Sequence, residues 1–210
     1  MVYNGYESSI FNTLGKRNSD QFIFSVVGSI YPEQDISIML NGLKNFLLDK
    51  SPDKVAVRFI GAAAIHSVAE KIQEAIPSDF LHISGRVPKQ DALQETIDAH
   101  VLSYSGWAGV RGIISTKAFD YIASGNYVLI APGDNDALDK LIQECKCGSS
   151  VNSAVEFENV LEKLYQSWLK EGKLPYLGDR DKIEFYSREH QAKRSAEMIV
   201  ELIDNKSNSK

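Results

Sequence analysis

Cysteine is nearly absent from this 210-residue chain: there are two, Cys145 and Cys147, one residue apart. That spacing is too tight for a comfortable disulfide, and no His or Cys cluster accompanies it, so the pair reads as two half-buried thiols. The four histidines, His66, His82, His100 and His190, share no metal-ligand spacing, so no zinc centre is expected. No apolar run approaches the roughly 18 to 20 residues that a membrane span needs. The first twenty residues lack the apolar segment of a signal peptide, and the expected location is cytoplasmic. Charge of one sign is also scarce; a net charge of −5 argues against nucleic acid as the main partner. No G-x-S-x-G elbow is present, and no base stands near a serine or cysteine in sequence, which leaves hydrolysis through a nucleophile without support. The turn GSIYPE at 28–33 has one glycine where a pyridine-dinucleotide domain needs three.

What is present is an alternation of buried-strand and amphipathic-helix patterns. Dense β-branched and aromatic runs at 21–28, 54–61, 79–84, 100–104, 127–131 and 147–151 read as strands. Helical spacing separates them at 33–47, 65–75, 91–99, 134–144 and 153–171. The fold class is therefore α/β: a doubly wound, Rossmann-like parallel sheet of about six strands with helices on both faces.

The chain is organised around 111–132, RGIISTKAFDYIASGNYVLIAP. Ser115 and Thr116 are expected to cap a helix by accepting from its first N–H groups, and Gly125 to stop it. Ala118, Phe119, Ile122 and Ala123 form the packed face, leaving Lys117, Asp120 and Tyr121 near the rim. Free N–H groups beside a lysine make a natural phosphate seat, and a carboxylate one turn further in suits sugar hydroxyls. By spacing alone the stretch equally fits an ordinary crossover helix.

These residues resemble the donor-site segment of the group 1 glycosyltransferases of GT-B architecture, where a loop enters a helix reading roughly E-x7-E with a glycine five residues later. Asp120 stands at the second acid, five residues before Gly125, and Gly112 replaces the first. The Thr116-Lys117 and Asp120-Tyr121 pairs are similar to a recurrent subgroup. The resemblance implies the strand order 3-2-1-4-5-6 and a nucleoside-diphosphate-sugar as donor substrate, with no metal and no further cofactor. It places the diphosphate on Lys117 and the N–H groups of Ile114, Ser115 and Thr116, the ribose on Asp120, and the base beside Arg86 and Val87, although an exposed loop arginine also reads as merely solvated. Gly28 and Ser29 would let the backbone approach a phosphate. The family's Arg/Lys clamp falls on Ser29 or Ile30 and on Gln34, neither of them a cation. Trp107 either covers the donor sugar or packs on a further domain.

Residues 2–7, VYNGYE, resemble the family's interdomain signature, and 185–188, FYSR, its closing segment; a plain Asn-Gly turn is the other reading of the first. The implied organisation is a linker remnant at 1–20, a nucleotide-sugar-binding domain at 21–178, a helical segment at 179–204 packing toward an absent N-terminal domain, and a disordered tail at 205–210. The acceptor, a glycan or lipid-linked glycan, and the catalytic base would belong to that absent half. The implied function is thus the donor-binding part of a sugar transferase, inactive alone, with at most peripheral contact at the inner membrane face through the basic residues of 188–194. A nucleotide-sugar 2-epimerase half and a non-catalytic nucleotide-binding module are the alternatives.

Overall fold

The computed structural model describes residues 2–107, 110, 112–175 and 178–207. Arg111, at the start of the organising stretch, and 208–210 of the expected tail lie outside them. Six strands form the sheet: β1 (Phe22–Val27), β2 (Val55–Ile60), β3 (Leu81–Ser84), β4 (Val101–Tyr104), β5 (Tyr127–Ile130) and β6 (Gly148–Ser150). All pair in parallel, in the order β3-β2-β1-β4-β5-β6. A parallel sheet needs long crossovers and cover on both faces, and the helices supply both. They are α1 (Ser8–Phe11), α2 (Ser37–Leu47), α3 (His66–Ala75), α4 (Lys89–Asp98), α5 (Thr116–Ala123), α6 (Ala137–Cys145), α7 (Ala154–Glu171), α8 (Arg180–Phe185) and α9 (Arg188–Ser207).

Alternation along β1 divides the core. Phe22, Phe24 and Val26 point to one face, where they meet Leu43 and Phe46 of α2, Ile72 of α3 and Phe157 and Tyr165 of α7. Ile23 and Val27 point to the other, against Phe119, Tyr121 and Ile122 of α5, Leu141 of α6 and Ile183 of α8. The full burial of β1 on both faces fixes it as the central strand, because a one-residue slip would exchange the two sets.

Several boundaries move. The helix expected from residue 33 begins at Ser37, because Gln34 is committed to the preceding loop and the Asp35 carboxylate accepts from the Ser37 N–H at 2.8 Å. The thiols of Cys145 and Cys147 are buried, not half-buried: the α6–β6 turn directs both inward. The final helix continues through Ser207, three residues into the segment expected to be disordered. Residues 2–20 contain α1; their first part lies against the chain's other end, while Lys16 and Arg17 bind Ala99, Asn126 and Asp98. The Tyr6 N–H donates to the Tyr186 carbonyl at 3.2 Å and the Arg188 N–H to the Tyr6 carbonyl at 2.8 Å, a short parallel bridge between the VYNGYE and FYSR segments. No described helix is long and apolar enough to cross a membrane.

Candidate functional site

Strand order reverses between β1 and β4, and this is where the sheet opens. β1 is paired with β2 along its whole length, but with β4 only at Phe24 and Ser25. Beyond Ser25 the two strands diverge, leaving the β4-facing polar groups of residues 27 and 29 without a strand partner. Helix α5 supplies both partners. The Val27 N–H donates to the Tyr121 hydroxyl at 2.7 Å, and that hydroxyl donates to the Val27 carbonyl at 2.9 Å. One helical turn earlier, Lys117 Nζ donates to the Ser29 carbonyl at 2.5 Å. Two residues of strand and four of helix advance by about the same 6 Å, so one register satisfies both contacts.

Tyr121 was expected at the rim; it is 1% exposed. Its phenol both donates to and accepts from the same unpaired residue, and burial pushes its ionisation far above the ordinary range. Tyr121→Phe is expected to lower unfolding free energy by about 1–2 kcal/mol. Urea melts at pH 7 measure this; an unchanged midpoint would show that water replaces the hydroxyl at no cost.

Lys117 is half-buried, with its ammonium 5.2 Å from the centre of the Tyr104 ring. Desolvation lowers its pKa from 10.5 to about 8. Gly28 lies against its stem and Gly61 backs Gly28. Each has a positive φ, 109° and 92°, which only glycine adopts without strain. A Cβ at Gly28 would stand 3.4 Å from Lys117 Cε, and one at Gly61 would meet the Gly28 backbone at 3.3 Å. Gly28, Ser29 and Lys117 are therefore brought together at the strand tips. The ammonium has three donors and spends one on Ser29.

The start of α5 differs in detail from the sequence reading. Ser115 occupies the N-cap with extended backbone, but its hydroxyl makes no capping bond, and Thr116 is exposed. Ser115 Oγ is buried with no hydrogen-bond partner. The expected self-capping is thus absent, and the helix's first turn is not closed off by its own serine. Ile114 is half-buried against the α5–α6 core. The N–H of Gly112, which stands in place of the first acid, donates to Asp136 Oδ2 at 2.9 Å, tying the loop to the residue before α6.

Asp120, three residues after Lys117 on α5, is half-buried. Desolvation raises its pKa to about 6, while Lys89 and Arg188 pull it down and Glu7 pushes it up. Lys89 and Arg188 are engaged elsewhere, at 3.5 and 3.7 Å from the Glu7 carboxylate, so among the described residues no salt bridge neutralises Asp120. Arg86 and Val87 are exposed on the loop between β3 and α4 and are not drawn into the Lys117 cluster.

By the resemblance, Gln34 stands where a cation is missing. It is instead a buried cross-link, accepting from the Tyr31 N–H at 3.1 Å and donating to the Ser105 carbonyl at 2.7 Å. Nothing local signals this, since the two groups are 71 residues apart. Trp107 packs against Tyr31, with ring centres 5.6 Å apart. Cavities of about 550 and 590 Å³ lie elsewhere, one lined by Lys16, Arg17, His100 and Lys173, the other between α2 and α3. Neither is lined by the strand-tip groups. An open site at strand tips is a surface crevice and is recognised by its convergent polar groups rather than by enclosed volume.

No family model and no curated protein matches the sequence. Solved structures do match the fold. HepE of Anabaena, crystallised with UDP and glucose, superposes with a TM-score of 0.72 at 10% identity over 95% of this chain and 56% of its own. A glycosyltransferase of Rickettsia africae gives 0.74 at 11% identity over 97% of this chain and 57% of its own. The C-terminal domain of the group 1 glycosyl transferase LpcC of Francisella tularensis gives 0.56 at 14% identity over 81% of this chain and the whole of that domain. This chain spans little more than half the length of the two longer proteins. In fold, the chain is one Rossmann-like half of the GT-B architecture found in these glycosyltransferases.

Proposed function

We propose that this chain holds the nucleoside-diphosphate-sugar donor of a glycosyltransferase. One observation carries the reading: a desolvated lysine, Lys117, stands at the β1/β4 switch point beside Gly28 and Ser29 and at the start of α5. Open α/β sheets bind ligands at that crevice, and a helix N-terminus favours an anion. Ser115 Oγ, buried and unpartnered, lies at the same helix start and offers a further hydrogen bond. Several structural neighbours were solved with UDP, which supports a nucleotide donor.

In this reading, Lys117 and the N–H groups of 114–116 stabilise the charge that develops on the departing diphosphate, without a metal ion. Asp120 accepts from the ribose hydroxyls, and the exposed backbone at Arg86 and Val87 lies beside the base. Sugar transfer to a glycan or lipid-linked acceptor then requires an acceptor-binding domain, and negligible turnover is the expected result for these 210 residues alone. A second reading, donor binding without catalysis, is favoured by Gly112 in place of an acid and by Gln34 serving the loop rather than a phosphate.

Calorimetric titration with UDP, GDP and ADP tests the site directly. One of the three is expected to bind with a stoichiometry near one, and more weakly at high salt. If none binds, the assignment of the strand-tip crevice fails.

A further inference from the structure

The two loops that leave β1 and β4 carry an aromatic pair that neither core absorbs. Tyr31 is 48% exposed, Trp107 is half-buried, and their ring planes meet at 34°. Exposed aromatics usually fold down onto a core, yet here the backbone is pinned so that they do not. Gln34 binds the Tyr31 N–H with one end of its amide and the Ser105 carbonyl with the other. The Gly106 N–H donates to the Pro132 carbonyl at 3.0 Å, fixing the residue before Trp107. A buried amide with both ends satisfied is a rigid brace, and this brace joins the two loops that flank the switch point.

Placement then limits what the pair can meet. Tyr31 leads into α2, which packs on one face of the sheet, whereas Asp120 and Lys89 belong to α5 and α4, which pack on the other. A diphosphate seated between Ser29 and α5 has two arms. The arm with vicinal hydroxyls suits the carboxylate of Asp120. The remaining arm is the sugar, and a pyranose offers an apolar C–H face with hydroxyls around its edge. Tyrosine and tryptophan match such a ring because each joins a broad apolar surface to a polar tip.

Resting on the nucleotide reading above, we propose that Tyr31 and Trp107 form the floor on which the donor's sugar ring lies. The pair gives the sugar apolar cover and leaves its hydroxyls to other groups, so it contributes affinity for hexoses generally rather than selection among them.

The test compares UDP with UDP-glucose and UDP-N-acetylglucosamine by calorimetry on the 210-residue chain and on its Tyr31→Ala, Tyr31→Phe and Trp107→Ala variants. At least one sugar nucleotide is expected to bind the parent more tightly than UDP. Each alanine variant is expected to lose about fivefold in that sugar nucleotide's affinity, for the apolar area uncovered, with UDP affinity within about twofold of the parent and Tyr31→Phe near the parent on both. Trp107 fluorescence, read in a Trp168→Phe background, is expected to respond to the sugar nucleotide and not to UDP. Sugar nucleotides that bind no better than UDP, or alanine variants that lower both affinities equally, overturn the platform and leave the nucleotide site standing. A parent chain that binds no UDP at all removes the nucleotide reading and the platform with it.

Discussion

Lys117→Met is expected to weaken nucleoside-diphosphate binding by about 100-fold while leaving the fold at least as stable. The two effects have one cause. At the β1/β4 opening the ammonium is partly withdrawn from water, which lowers its pKa from 10.5 to about 8. In the ligand-free protein the unfolded chain therefore binds more protons than the folded one between pH 8 and 10.5, so stability rises with pH across that window. At neutral pH the charged lysine costs the folded state roughly 3 kcal/mol. Methionine has similar length and no charge, and fills the space over Tyr104. The carbonyl of Ser29 loses its partner, which offsets part of the gain, and a net stabilisation of about 1–2 kcal/mol is expected. Thermal melts at pH 7 and 10 check this: the variant should exceed the parent at pH 7, and the difference should shrink at pH 10. A variant that binds the nucleotide as well as the parent does would remove the lysine from the site. A bound diphosphate holds Lys117 protonated, so parental affinity should decline as pH rises through about 8, a slope that the variant lacks.

Asp120→Asn carries the second large effect. Its carboxyl is raised from 3.8 to about 6 by burial, and Glu7 holds the neighbouring cations away from full pairing with it. The sign is opposite to that of the lysine. Here the folded state binds more protons between pH 3.8 and 6, so stability falls as pH rises through that interval, and the cost persists above it. The amide removes the cost and is expected to stabilise the chain by about 1–3 kcal/mol at pH 7, with no gain at pH 3.5 where the parent's carboxyl is already neutral. Ligand affinity moves the other way. An ionised carboxylate accepts two strong hydrogen bonds from vicinal hydroxyls and the amide oxygen only weaker ones, a loss of about tenfold. Affinity of the parent should also fall below about pH 6, so binding is strongest between about 6 and 8, where both side chains carry charge. A flat pH profile over 5 to 9 would mean that neither group meets the ligand.

Much of the fold is legible in the chain. Six short β-branched runs separated by helical spacing leave a doubly wound sheet as the economical arrangement, and the β1 run FIFSVV is apolar enough to be central on sight. Part of the site is legible for the same reason: a lysine in the first turn of a helix after a loop is a local pattern. Tyr121 shows the limit. Its spacing fits both rim and core, and the choice was made by Val27, whose N–H and C=O lose their strand partners only because β4 diverges from β1. Ser115 shows it again, since a serine before a helix normally caps it, and here the hydroxyl is turned inward.

The sequence by itself determined the fold class and the place of Lys117 in the first turn of a helix, because each follows from short-range periodicity or from a motif within one crossover, while the strand order came from the resemblance. Only the tertiary structure decided that Lys117 meets Gly28 and Ser29, that Gln34 braces two loops, that Tyr31 and Trp107 stay above the surface, and that Asp120 faces charges from both ends of the chain. Those outcomes depend on groups separated by tens of residues, whose meeting is set by sheet order and strand divergence, and no window of the sequence contains both partners.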